Sequence, residues 1–450
     1  METPNTLLEK IYGYSAFREG QLDIINSVLA GQKTLGIMPT GGGKSITYQI
    51  SGLLLPGITL VISPLISLIQ NQVDELISAR VTATELTSAL SPEEQEKRKQ
   101  EIYRGLYKFV FIAPERLENE YFYSFLSQLN LSLVVIDEAH SLSQWGHDFR
   151  PAYLNSVNYI QNLPQHPRVL ALTATATKRV EEEIVDLLEI QKVVKTSPYR
   201  PNLVLKMEHG LSKKQKLDFI LRYVKAHANE VGIIYASKRA EVEEITEFLV
   251  ANNINARRYH AGLSDQERTE AQHAFLYDEA DVIVATVAFG MGINKSNVRY
   301  VIHNNMPGTI EAYYQEIGRA GRDGLDSEVT LLYSTSDADT QRFFIDHSEN
   351  QSPEFRDVQL NKLQEMIRYG STQMCLQRYI MRYFGEDIEN CGRCTNCLDA
   401  RPAVDETKLA ESIIGAVLEV TELGRTASKT TLIDILRGTL NENMSWTNFT

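Results

Sequence analysis

Two tandem parallel-sheet α/β domains are the fold this sequence predicts, and three observations predict them. The chain has 450 residues, more than one hydrophobic core usually organises. Short β-branched or apolar runs recur, each followed by a polar turn and then a stretch of helical periodicity, which is the rhythm of a parallel sheet. The residues with evident chemistry fall just after those runs, where open α/β sheets collect their ligands.

In the first half the runs are residues 34–38, 59–62, 109–112, 133–136 and 169–172. They are continuously apolar, as strands buried on both faces are. Residues 196–202 hold Pro198 and Pro201, break the helical pattern that ends near Ile190, and read as a linker. A second α/β unit follows, with strands expected at 231–235, 256–259, 281–285 and 300–303 and a helix at 239–251. From about Ser336 the pattern turns helical, and an amphipathic helix is expected around 413–423.

Composition narrows the function. The formal net charge is -13, which argues against a protein that coats nucleic acid through bulk charge attraction, so any such contact is expected to be local. No apolar run approaches the roughly 18 residues of a membrane span, and the polar start METPNTLLEK lacks the regions of a secretory signal, so a cytoplasmic location is expected. In a reducing compartment the run Cys391-Gly392-Arg393-Cys394-Thr395-Asn396-Cys397 reads as metal ligation before it reads as disulfides.

The first chemical motif is Met38-Pro39-Thr40-Gly41-Gly42-Gly43-Lys44-Ser45, between a strand and a helix. Glycines there let backbone N–H groups approach phosphate oxygens, with Lys44 reaching the β and γ phosphates and Ser45 ligating Mg²⁺. Met38 stands where the usual pattern has its first glycine. The plainer alternative is a glycine-rich turn that only joins strand to helix. About a hundred residues on, an apolar strand delivers Asp137-Glu138-Ala139-His140. Asp137 is the candidate Mg²⁺ ligand and Glu138 the candidate base for the attacking water. An acidic pair alone more often marks a solvated loop. The second half supplies Gly318-Arg319-Ala320-Gly321-Arg322, whose guanidinium groups could stabilise charge on a transferring phosphoryl group. Full catalysis would then need the two units to close on ATP.

These motifs, taken with Gly13-Tyr14-Ser15-Ala16-Phe17-Arg18-Glu19-Gly20-Gln21 and Ser141-Leu142-Ser143-Gln144-Trp145-Gly146-His147-Asp148-Phe149-Arg150-Pro151, resemble the RecQ family of superfamily 2 helicases across residues 13–397. The resemblance implies two RecA-like domains, at 1–198 and 199–336, a helical zinc-binding domain at 337–400, and at 401–450 the start of a winged-helix-like segment or a tail. It implies adenine contacts from Tyr14, Arg18 and Gln21, phosphate contacts from Thr40, Gly41, Gly42, Gly43, Lys44 and Ser45, and DNA contacts from Ser143, Trp145, His147, Phe149 and Arg150. Aromatic rings on such a loop can stack on unpaired bases, although Trp145 or Phe149 could instead belong to the core. Segments 63–68, 172–176, 235–238, 260–262 and 281–295 match stretches that in the family line the strand track or relay the nucleotide state. At Tyr235 the following Ala-Ser-Lys departs from the Cys-Asn-Ser-Arg of many relatives.

Cys375 joins Cys391, Cys394 and Cys397, and four thiolates can close a tetrahedral structural Zn²⁺ site; the alternative is four free cysteines. The resemblance thus implies an ATP-dependent DNA helicase of 3′-to-5′ polarity that works in DNA repair or recombination, needs ATP, Mg²⁺ and Zn²⁺, and acts as a monomer on single-stranded and duplex DNA. Protein partners such as a single-strand-binding protein do not follow from the residues. About fifty residues after the cysteines are fewer than a winged helix of roughly a hundred residues needs, so unwinding is less secure than translocation. The competing readings are an RNA helicase, a translocase that does not unwind, and a zinc-bearing DNA-binding protein with a decayed ATP site.

Overall fold

A computed structural model describes the chain except for residues 1, 144, 147–148, 291–294, 349–351, 400–406, 425, 427 and 439–450 and the side chains of 429 and 430. Residues 1–398 form one compact unit and residues 399–450 another. Within the first lie two parallel sheets. The first contains β1 (Thr34–Ile37), β2 (Ile58–Ile62), β3 (Ala83–Leu86), β4 (Phe109–Ile112), β5 (Leu131–Ile136), β6 (Arg168–Thr173) and β7 (Lys192–Lys195), in the order β3-β4-β2-β5-β6-β1-β7. The second contains β8 (Leu203–His209), β9 (Val231–Tyr235), β10 (Ala256–Tyr259), β11 (Val282–Ala285), β12 (Val298–His303) and β13 (Ser327–Tyr333), in the order β10-β11-β9-β12-β13-β8.

Every run read as a strand forms one. The inner strands β1, β2, β4 and β11 are buried at every position because helices cover both faces. Four strands were not anticipated. Edge strands β3, β7 and β8 mix polar with apolar residues, β3 although all of it is buried and β7 and β8 with exposed positions, and β13 starts with Ser-Glu just after the arginine turn.

Register decides where the chemistry lands. Ile37 pairs with Thr173 and Ile62 with Ile136, so β1 ends level with β6 and β2 with β5, whose last residue Ile136 stands beside Ala171, two residues before the end of β6. The Met38 amide still donates to the Thr173 carbonyl and the Asp137 amide to that of Ile62, at 3.0 and 2.9 Å. The turns that follow all open on one edge of the sheet.

The helices Asp337–Asp346, Pro353–Gly370 and Leu376–Tyr383 have no core of their own. Met366, Tyr369, Leu376 and Ile380 are buried in the same cluster as Tyr313, Ile317 and Leu331 of the second lobe. Strand β8 would otherwise leave an open edge; there the Met207 amide donates to Thr395 Oγ1 at 2.9 Å and Gln377 donates to the Leu203 carbonyl at 2.9 Å. In the second unit, the amphipathic helix expected at 413–423 starts earlier, at Thr407–Glu422, and Lys429–Leu436 follows. The remainder of the winged-helix-like segment lies outside the described residues. Among the described residues no helix is long and apolar enough to cross a membrane.

Candidate nucleotide site, strand loop and metal centre

The turn after β1 reverses at Gly41 (φ +79°) and Gly43 (φ +78°), a left-handed backbone open to glycine at no steric cost. A Cβ on Gly43 would meet Gln21 Nε2 at 2.4 Å. The carbonyls of this turn are each held from behind. Arg200 Nη1 donates to Thr40 O at 2.9 Å, Arg18 donates to Gly41 O, and Gln21 Nε2 donates to Gly42 O and Gly43 O at 3.2 and 3.0 Å. The helix Lys44–Leu54 then starts with first-turn amides that have no acceptor within the helix, which is an anion-binding end.

These groups face a cleft of about 560 Å³ that both lobes line. The first lobe contributes Tyr14, Arg18, Gln21, Thr40, Gly41, Gly43, Lys44, Ser45, Asp137 and Glu138, and the second contributes Gln315, Arg319 and Arg322. That volume is within the range of small-molecule sites. Of the residues expected at adenine, Tyr14 is exposed, whereas Gln21 is buried with its amide committed to the glycine turn and to the Arg18 N–H.

Asp137 is buried, and burial together with the charge of Glu138 pushes its carboxyl up to about 6, against the pull of Lys44. Gln72 Nε2 donates to Asp137 Oδ2 at 3.2 Å. A hard cation accepts oxygen ligands of this kind, so the pair Ser45 and Asp137 fits Mg²⁺ in donor chemistry. Glu138 sits in the left-handed region (φ +49°), a strained choice for a residue with a Cβ, and of the sort found at functional turns. Its Oε2 lies 3.3 Å from His140 Nδ1, which is 3.0 Å from Thr173 Oγ1. Thr173 Oγ1 donates to Thr175 O at 3.1 Å, and Gln315 Nε2 of the second lobe reaches Thr175 Oγ1 at 3.4 Å. A chain of contacts therefore runs from the acidic pair to the other lobe.

Arg319 and Arg322 leave the C-terminal end of the helix Ile310–Ile317. Arg319 is buried at the cleft wall and donates to Gly290 O. Arg322 is half-buried, and burial plus its neighbours Arg319 and Arg200 press its guanidinium down to about 10, so it remains a cation at neutral pH. The lobes already touch here: a Cβ on Gly41 would lie 3.3 Å from Arg322 Cγ, and one on Gly318 would lie 2.9 Å from Thr40 Cβ.

The loop after the acidic pair is less open than the sequence suggested. Ser143 is fully buried, with its hydroxyl donating to Glu183 at 2.5 Å and accepting from the Trp145 amide at 3.1 Å. Trp145 packs against the first-lobe core beneath the Arg179 guanidinium, 3.0 Å from the ring centroid. Arg150 Nη1 donates to Pro64 O at 2.8 Å, and Phe149 is half-buried. His147 lies outside the described residues, as does most of the 290–294 stretch. A larger groove, about 1610 Å³, passes Pro64, Leu65, Ser67, Arg98, Arg116, Tyr259 and Arg268 and is likewise lined by both lobes.

The four cysteine Sγ atoms lie within 4.8 Å of one another. Cys391 and Cys397 are 4.0 Å apart and Cys375 and Cys394 3.9 Å, close to the separation of about 3.8 Å that bonds of about 2.3 Å give around tetrahedral zinc. Backbone amides of Cys391, Cys394 and Leu376 donate to Cys375, Cys391 and Cys394 sulfurs, as thiolates require.

Two groups near the cleft escaped the sequence reading. Gln72 occupies a buried position beside Ile69, Val73 and Leu76 on its helix, and a polar residue there was its signal. Arg200, between the two linker prolines, had none.

Comparison with known proteins agrees with this architecture. Residues 18–184 match the DEAD/DEAH box helicase family, 214–324 the helicase conserved C-terminal domain, and 335–398 the RecQ zinc-binding domain. The chain is 45% identical over 443 residues to the ATP-dependent DNA helicase RecQ of Bacillus subtilis, covering 98% of this chain and 74% of that one. It is 38% identical to the RecQ of Pasteurella multocida, covering 98% and 69%. Among solved structures, S. cerevisiae Dbp5 bound to RNA and ADP BeF3 shares the fold at a TM-score of 0.63 and 16% identity, covering 91% of this chain and 96% of that one.

Proposed function

The chain belongs to the RecQ family of ATP-dependent DNA helicases, and on that premise we propose that it is a 3′-to-5′ motor that translocates on single-stranded DNA and unwinds duplexes in repair or recombination. The observation that carries the reading is the shared cleft, with Lys44, Asp137 and Glu138 on one wall and Arg319 and Arg322 on the other.

In this reading Lys44 and the amides of the helix start hold the β and γ phosphates of ATP. Glu138 orients the attacking water and takes its proton, within the turn that His140 braces. Mg²⁺, when bound through Ser45 and Asp137, supplies charge neutralisation between the phosphates. Arg319 and Arg322 stabilise charge on the transferring group, and this requires the lobes to be closed. Loss of that charge releases the second lobe, and the contacts through Thr173, Thr175 and Gln315 carry the change across the interface. Tyr14 and Arg18 hold the base. The strand runs along the larger groove and meets the loop of Trp145, Phe149 and Arg150 next to it, where Arg150 donates to the groove-lining Pro64, with hydroxyls and backbone groups providing most phosphate contacts in an acidic chain. The protein works as a cytoplasmic monomer.

ATP turnover measured without nucleic acid, with single-stranded DNA and with single-stranded RNA, followed by unwinding of 3′-tailed and 5′-tailed duplexes, tests this. DNA-selective stimulation and unwinding of the 3′-tailed duplex alone are expected. Equal stimulation by RNA would favour the RNA helicase reading, and stimulation without unwinding the plain translocase.

A further inference from the structure

Arg200 lies in the linker joining the lobes, and its three guanidinium nitrogens are all engaged. Nη1 donates to the Thr40 carbonyl of the phosphate turn at 2.9 Å. Nη2 donates to the carbonyls of Ala320 and Gly321 in the arginine turn, at 2.9 and 2.8 Å. Nε donates to Asn202 Oδ1 at 3.2 Å, and Asn202 in turn donates to Gly321 O at 2.9 Å. Behind it, the Arg200 carbonyl accepts from Gln377 of the zinc-bearing module at 3.2 Å. One planar fork therefore binds the backbone that precedes Lys44 and the backbone between Arg319 and Arg322.

We infer that Arg200 is a positioning residue for hydrolysis, a staple that sets the arginine turn against the phosphate turn when the lobes close. Its acceptors on both sides are main-chain carbonyls, so it fixes where the two turns stand and not which side chains they bear. The fork geometry is the reason for arginine: a guanidinium presents donors in two directions from a rigid plane, whereas an ammonium is a single point. Its acceptors are uncharged, so its positive charge adds to that of Arg18, Arg319 and Arg322 around the cleft and favours a polyphosphate there. Arg200 is not itself among the residues that line the cleft, and meets that lining through the Thr40 carbonyl. Misplacing a catalytic group by about an ångström can cost roughly a hundredfold in rate, which is the scale of effect such a staple can have.

The inference rests on the reading of Arg319 and Arg322 as charge-stabilising groups, so R322A serves as its comparator. The full-length protein and the variants R200A, R200K and R322A are compared by thermal midpoint, zinc content, affinity for a fluorescent ATP analogue, and kcat and KM of hydrolysis with saturating single-stranded DNA. R200A and R200K are expected to keep zinc and to bind the analogue within about threefold of the parent, yet to lose kcat by about tenfold or more. R200K should not rescue, because it keeps the charge but cannot bridge both turns. Should R200A fail to fold, R200K decides by the same criterion. Turnover by either folded variant within about twofold of the parent, while R322A loses turnover, would overturn the staple and leave the arginine reading standing. Unchanged turnover in R322A would overturn both.

Discussion

Lys362 of the helical module donates to the Trp145 carbonyl at 2.5 Å and pairs with Glu311 of the second lobe at 3.3 Å, joining three parts of the molecule at one buried ammonium. Burial lowers its pKa, and Glu311 opposes that shift. Removing one member of a buried pair strands the other, at a cost of about 3 kcal/mol or more. K362M should therefore lower the unfolding free energy by about that amount, and K362M combined with E311Q should recover a good part of it. Urea unfolding of the two single variants and the double variant measures this; additive losses would mean that the pair is not coupled.

Lys44 faces the cleft from the start of its helix, and nothing in the cores depends on its ammonium. K44A should abolish DNA-stimulated ATP hydrolysis while leaving the thermal midpoint within a few degrees of the parent. Persistent turnover would remove the phosphate-site assignment.

Trp145 carries its loop against the first-lobe core under Arg179. W145A removes both that cation–π contact, worth about 1 kcal/mol, and the ring available to a base. The ratio of turnover with single-stranded DNA to turnover without it should fall several-fold. An unchanged ratio would count against any coupling through this loop.

One zinc per chain is expected, held by Cys375, Cys391, Cys394 and Cys397. Because Cys375 and Cys394 are buried in the core shared with the second lobe, chelation or C394A should lower the thermal midpoint of the whole first unit and not only of a peripheral module. Metal analysis of the purified protein is the check, and absence of zinc would reject the centre.

Sequence reading reached furthest where the physics is local. Continuous apolar runs marked the inner strands, and the residues just after them, Lys44, Asp137 and Glu138, reach one cleft because parallel pairing opens those strand ends on one edge of the sheet. Edge strands such as β7, Lys-Val-Val-Lys, carried too little apolar signal because one side meets no strand. The Ser143 contact was not legible, since a serine between Leu142 and Gln144 gives no hint that Glu183, forty positions on, will take its hydroxyl. Arg200 was invisible for the same reason: its partners lie 160 and 120 residues away, and they are carbonyls, which every residue has.

Turnover of R319A and R322A with saturating single-stranded DNA addresses the shared cleft most directly. Each variant should retain ATP affinity close to that of the parent and lose about a hundredfold or more in kcat, since the missing charge acts on the transition state from the opposite lobe. If both hydrolyse ATP at the parental rate, the second lobe has no part in the chemistry, and the two-walled site described above is wrong.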